Sequence, residues 1–186
     1  TAISGVDYVA SSSSVTIPAG QTTVNFNVAV NGDSLYEIDE TFFVTLSGGS
    51  GYSTTGSTLS ATGTITNDDI APIITLGDVS FAEGNSGTSN MTFTIAASTV
   101  SGADIVVNYS STDISATAGS DFTTGSGTAT ILAGQTTGIF TVVMNGDTMY
   151  EIDESFTMTL SGGSGYTPSG SDLTAIGTIT NDDTAP

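Results

Sequence analysis

Residues 1–72 recur without a gap as residues 115–186, and 43 of those 72 positions are identical. The offset is constant at 114 residues, the distance from Asp33 to Asp147 and from Pro72 to Pro186. A single period of this size argues for tandem domains, one per period, rather than for a solenoid of short repeats. The phase of the repeat sets the boundaries. Residues 73–186 make one full period, whereas residues 1–69 match only its later part and lack the counterpart of residues 73–114. The expected organisation is a partial domain over 1–69, a very short linker over 70–72 and a complete domain over 73–186. The start at Thr1, in mid-pattern and without an initiator Met, reads as a mature fragment or a window on a longer chain.

The local pattern is β throughout. Apolar residues alternate with polar ones at Met91/Phe93/Ile95, Ile105/Val107/Tyr109, Phe140/Val142/Met144 and Phe156/Met158/Leu160, the period of a half-buried strand. Clusters of Gly, Ser, Asn and Asp separate these runs. Seven main strands are expected in the complete copy, near 73–82, 91–97, 104–110, 127–132, 137–144, 154–161 and 174–180, the first bending at Gly77-Asp78. Ala19-Gly20-Gln21 and Ala133-Gly134-Gln135 read as hairpin turns, and Gly63 and Gly177 as close-approach positions in the last strand. This spacing predicts an all-β, immunoglobulin-like Greek-key β-sandwich repeated in tandem.

Charge is one-sided. The chain has 19 Asp and Glu and no Lys, Arg, His or Cys. No salt bridge between side chains, isopeptide crosslink to Lys or disulfide can form. Nucleic-acid binding is excluded, because phosphate contacts need Lys or Arg. No apolar run is long enough to span a bilayer as a helix, so no direct membrane insertion is expected. Catalysis is confined to carboxylate pairs or metal assistance, and the acids are better explained as ligands, so the chain is read as no enzyme.

Many of the acids are clustered. The complete copy carries Glu83, Asp121, Asp147, Glu151, Asp153, Glu154, Asp182 and Asp183 between strands or at strand ends, and in a Greek-key sandwich such loops gather at one pole. Two carboxylates about 6 Å apart repel by about 0.7 kcal/mol at ε of ~80 and about 2.8 kcal/mol at ε of ~20. Summed over such a cluster, the repulsion rivals a domain's stability of about 5–15 kcal/mol. The pole must splay, take up protons or bind cations. Ca²⁺, a hard ion taking six to eight oxygens, is the expected cofactor. Asp39 and Asp153 precede the strand carrying Phe42 or Phe156 and read equally as turn caps. Asp78, Asp104, Asp113 and Asp172 stand apart and read as solvated surface.

The ordered motifs also resemble the Calx-β domain family. The resemblance rests on Ala133–Gln135, Phe140–Met144, Asp147-x-x-x-Glu151-x-Asp153-Glu154-x-Phe156 and Gly177–Asp183. It repeats at Ala19–Gln21, Phe26–Val30, Asp33–Phe42 and Gly63–Asp69. Phe81–Asn85 and Ala118–Phe122 fit the family's earlier signatures. The resemblance implies calcium ligands by matched position: Glu83; Asp121; Asp147, Glu151 and Glu154; and Asp182 with Asp183. In the first copy it implies Asp7; Asp33, Glu37 and Glu40; and Asp68 with Asp69. Calcium-sensing members often carry runs of three acids where this chain has Asn-Gly-Asp and Asn-Asp-Asp, which implies fewer or weaker sites.

The function expected on these grounds is a calcium-binding structural repeat of a long extracellular or cell-surface protein, bacterial in type: an adhesin, matrix protein or filament. The alternative is a calcium-sensing regulatory module. The expected partners are neighbouring repeats or identical subunits, one of which can supply the strands that the first copy lacks.

Overall fold

A computed structural model describes residues 1–53 and 55–186. The chain packs as two units, Thr1–Ser34 with Ile38–Asp68, and Leu35–Glu37 with Asp69–Pro186. Leu35–Glu37 groups with the second unit because the Tyr36 carbonyl accepts hydrogen bonds from Gly102 N–H (2.9 Å) and Ser101 Oγ (3.1 Å).

Among the described residues the first unit contains two strands, β1 (Glu40–Thr45) and β2 (Ser60–Ile65), paired antiparallel. The second contains β3 (Ile74–Leu76), β4 (Val79–Ala82), β5 (Gly87–Ala97), β6 (Ile105–Asp113), β7 (Ser126–Ile131), β8 (Thr137–Gly146), β9 (Glu154–Ser164) and β10 (Thr174–Thr180). They form a five-stranded sheet, β4-β10-β9-β6-β7, and a three-stranded sheet, β3-β5-β8. The result is an all-β, immunoglobulin-like sandwich.

The alternation seen in the sequence is what fills its core. Met91, Phe93 and Ile95 of β5, Phe140, Val142 and Met144 of β8, and Phe156, Met158 and Leu160 of β9 are buried, while Thr92, Thr94 and Thr141 between them face out. Each such side chain contributes about 1.5–3 kcal/mol on burial. Rings join the two sheets. Phe140 of the smaller sheet stacks on Phe93 (5.3 Å) and on Tyr109 of the larger (4.1 Å), and Phe156 stacks on Phe122 (4.3 Å). Gly177 lies opposite Phe156 across β10 and β9, and a Cβ there would stand 2.4 Å from the Phe156 ring. Only glycine lets that ring lie over the strand.

Two local expectations change. The first expected strand is two, because the bend at Gly77-Asp78 moves β4 to the other sheet, where it pairs parallel with β10. Ala133-Gly134-Gln135 is a turn with Gly134 at φ 79°, but β7 and β8 belong to different sheets. It is an arch over the core rather than a hairpin.

Candidate metal centre

Strand direction gathers the acids. β4 and β10 run parallel and end together, placing Glu83 beside Asp182-Asp183. β9 runs against β10 and so begins at that end, with Glu154 opposite Ile179. β6 ends there too, Asp113 opposite Phe156, and leads into the loop of Asp121. β8 closes on the same pole: the end residue Gly146 lies so near Glu83-Gly84 that a Cβ would be 2.1 Å from the Gly84 carbonyl oxygen. The loop Asp147–Asp153 therefore starts and finishes at the acid pole.

Two groups of three carboxylates result, each with one oxygen per residue within 4.8 Å of the others: Glu83, Asp182 and Asp183; and Asp121, Glu151 and Glu154. Hydrogen bonds hold them. Asp121 Oδ2 accepts from Thr117 N–H (2.6 Å), and the Asp121 carbonyl accepts from Asn145 N–H (2.9 Å). Asn145 Nδ2 donates to the Ser120 carbonyl (2.7 Å), so this asparagine clamps the Asp121 loop onto the end of β8. Asn181 Oδ1 accepts from Glu151 N–H (3.0 Å), and its Nδ2 donates to the Asp183 carbonyl (2.9 Å). Asp182 Oδ1 accepts from Gly84 N–H (3.2 Å).

The electrostatics are those of unneutralised acids. Burial, and then the charge of Glu151, Asp147, Asp182 and Asp183, raises the pKa of Glu83 above its ordinary 4.5. Burial with Asp121 and Asp147 raises that of Glu151. Burial, a hydrogen bond with Asp121 and the charges of Asp121, Glu151 and Glu83 push Glu154 up to about 7. Burial, Asp182 and Asp147 raise Asp183. Glu83 Oε1 and Asp183 Oδ2 are enclosed and accept no hydrogen bond. An enclosed acceptor without a donor is costly, and a hard cation with oxygen ligands is the chemistry that matches it. The donor set, all oxygen and anionic, fits Ca²⁺.

The remaining candidates sit differently. Asp147 Oδ1 accepts from Met149 N–H (2.7 Å), forming the turn of its own loop. Asp153 Oδ1 accepts from Asn181 N–H (3.1 Å), and Asp39 Oδ1 from Asn67 N–H (2.9 Å). These two acids are backbone clamps in both copies. In the first unit Asp7, which is buried, and Glu40 bring carboxylate oxygens within 4.8 Å, and Asp7 Oδ2 accepts from Ile3 N–H (2.5 Å). Glu37 lies in the segment grouped with the second unit. Asp33 and Asp68 are exposed and Asp69 half-buried; none of the three joins a group of three acids among the described residues.

Asn145 and Asn181 are loop clamps that spacing alone does not reveal. The signal available was that both recur, as Asn31 and Asn67, in the repeat. Asn31 repeats the clamp, with Nδ2 donating to the Val6 carbonyl (2.7 Å) and N–H to that of Asp7 (2.9 Å). Two acids read as surface also carry structure: Asp78 Oδ1 accepts from Ile176 N–H (2.7 Å) and Asp104 Oδ1 from Ala133 N–H (2.8 Å).

The sequence matches the Calx-beta domain over residues 1–69 and again over 72–183. The chain belongs to the Calx-beta domain family. Among solved structures of similar fold is one described as calcium binding domain CBD12 of CALX1.1, with 21% identity and a TM-score of 0.53, covering 59% of this chain and 44% of that one. Another is CBD12 from CALX1.2, with 22% identity and a TM-score of 0.50, covering 59% and 46%. This Calx-beta chain thus spans less than half the length of either. Among curated proteins none matches it.

Proposed function

We propose that the chain is a calcium-binding structural repeat of a long extracellular or cell-surface protein, in which Ca²⁺ stiffens each domain and the joint to the next. The observation that carries the reading is the pair of carboxylate groups at one pole, with two enclosed oxygens lacking any hydrogen-bond donor. Glu83, Asp182 and Asp183 would hold one ion, and Asp121, Glu151 and Glu154 a second. The bound ion supplies positive charge and oxygen coordination that the protein, without a single basic side chain, does not contain. Asn145 and Asn181 would act on the ion indirectly, by fixing the loops that carry its ligands.

A mechanical role is supported by the place of the acids in the repeat. Asp68-Asp69 and Asp182-Asp183 close their copies, and Asp69 directly precedes the Ile70–Pro72 linker. An exposed, exported setting is supported by the tandem repetition of one domain, identical at 43 of 72 matched positions, and by the strongly anionic composition. No helix of the described residues is long and apolar enough to cross a membrane.

Affinity tests the reading. A structural module outside the cell works with Kd of about 10⁻⁴–10⁻³ M, whereas a calcium sensor needs about 10⁻⁷–10⁻⁵ M. Calcium titration of the chain beside Glu151→Gln, Asp183→Asn and Asp172→Asn is expected to give binding in the weaker range, impaired by the first two and spared by the third. Binding in the tighter range would favour the sensor. Equal effects of all three would replace the site with a diffuse counterion cloud.

A further inference from the structure

Where the chain enters and leaves the second unit decides how that unit resists a pull along the chain. It enters through Pro72, which is buried. The Pro72 carbonyl accepts from Thr167 N–H (2.9 Å), and Ile74 N–H donates to Ser171 Oγ (3.0 Å). From there β3 leads through the bend at Gly77-Asp78 into β4, which runs toward the acid pole. The chain leaves at that pole, through β10 and Asp182-Asp183. The entering and leaving strands are neighbours. β4 pairs parallel with β10, from Gly177↔Val79 to Thr180↔Ala82. Further hydrogen bonds tie the ends of the pair: Ile176 N–H donates to Asp78 Oδ1 (2.7 Å), Glu83 N–H to the Thr180 carbonyl (3.3 Å) and Gly84 N–H to Asp182 Oδ1 (3.2 Å).

A pull through the chain draws β4 back by its first residue and β10 forward by its last. The strands are then loaded along their own direction, while their hydrogen bonds run between them. Every bond of the pair shares the load, and the bonds must fail together rather than one after another. The acids add a tie at one end of the same pair. Glu83 directly follows β4, and Asp182 and Asp183 closely follow β10. Their oxygens lie within 4.8 Å of one another, and Glu83 is 7% exposed, with Oε1 enclosed and lacking a donor.

We propose that the β4–β10 pair is a force-bearing clamp, and that a cation held by Glu83, Asp182 and Asp183 locks it by joining the entering strand to the leaving one. The clamp rests on topology alone. The lock rests also on the calcium reading above. The second group, Asp121, Glu151 and Glu154, includes no residue of the β4 segment and does not bridge the clamp.

The test stretches the full chain at constant load between handles at its two ends, in chelator and in saturating calcium. Opening of the second unit is recognised by length. Its roughly 110 residues release more than about 300 Å, whereas the first unit has too few to release more than about 250 Å, at 3.3–3.6 Å per residue. N–H groups alternate sides along a strand, so those of Val79 and Phe81 face β10 with that of Glu83, and that of Ser80 faces away. In chelator, Val79→Pro should speed opening by about 5-fold or more, the usual weight of one such bond. Asp78→Ala, which loses the tie to Ile176 without altering β4, should act in the same direction. Ser80→Pro, at an edge position that tolerates proline, should change the rate by less than about 2-fold. Calcium should slow opening by about 10-fold or more, an effect lost in Glu83→Gln and largely kept in Glu151→Gln. Opening no faster in Val79→Pro and Asp78→Ala than in Ser80→Pro would overturn the clamp. Calcium that titrates into the chain yet leaves opening under load unchanged, or acts equally in Glu83→Gln and Glu151→Gln, would overturn the lock. If calorimetry finds no calcium binding, the calcium reading fails and the lock with it, while the chelator series still decides the clamp.

Discussion

Replacing Glu83 by Gln separates the cost of the acid pole from its use. Glu83 is buried, and its carboxylate lies within 4.8 Å of oxygens of both Asp182 and Asp183. At that separation each pair repels by about 0.9 kcal/mol at ε of ~80 and about 3.5 kcal/mol at ε of ~20. Screening and relaxation reduce the sum, leaving an expected gain of about 1–3 kcal/mol when the charge is removed from the metal-free protein. At roughly 3–8 °C per kcal/mol, the chelated variant should melt several degrees above the unaltered chain. Calcium reverses the benefit. A ligand is lost, and a 30-fold rise in Kd removes about 2 kcal/mol of the stabilisation that saturating ligand supplies. The assay is thermal denaturation of both proteins in chelator and in excess calcium. The increment from calcium should shrink from both ends, by a higher chelated baseline and a weaker response. A lower melting temperature for Glu83→Gln in chelator, or an unchanged increment, would refute the reasoning.

Other outcomes follow from the same structure. In chelator, melting temperature should rise as pH falls from 8 to 5. Glu154 is raised from 4.5 to about 7 in the fold, so the folded state binds the extra proton in that window; the contribution is complete below 4.5 and lost as pH rises through about 7. A flat profile would show that the carboxylates do not crowd one another. Asp153→Asn keeps an acceptor for Asn181 N–H and removes only charge; calorimetry should find calcium affinity within about 3-fold, against more than about 10-fold for Glu151→Gln, given the usual weight of an ionic ligand. Gly177→Ala forces a Cβ to 2.4 Å from the buried Phe156 ring and should cost about 2–3 kcal/mol in urea denaturation. Gly63→Ala makes the same contact with Phe42, which is only half-buried, and should cost less.

Much of the fold was legible because a half-buried strand needs strict alternation. Met91/Phe93/Ile95 and Phe156/Met158/Leu160 could face the core in only one register. The position of the acids at strand ends was equally legible, and so was their convergence once the strands were taken as a sandwich. Sheet membership was harder to read. Gly77-Asp78 marks a bend, but no local feature says that β4 crosses to pair parallel with β10. The turn at Gly134 has the local chemistry of a hairpin, while its flanking strands take different sheets. The separate duties of the acids were also hidden. Asp153 and Glu154 are adjacent in the chain, yet Asp153 caps the Asn181 backbone, 28 residues on, and Glu154 faces Glu151 and the distant Asp121. In the first copy, residues 12–17 and 23–29 show that alternation alone does not make a strand. A β-strand is held by its neighbours as much as by its own pattern.

Calorimetric titration of calcium into the chelator-treated chain, at about 0.15 M monovalent salt, tests the central claim most directly. The account predicts saturable binding with a defined stoichiometry, a Kd of about 10⁻⁴–10⁻³ M, and its loss from the second unit in a Glu151→Gln, Asp183→Asn double variant. Heat that never saturates, or saturable binding untouched by that double variant, would contradict it.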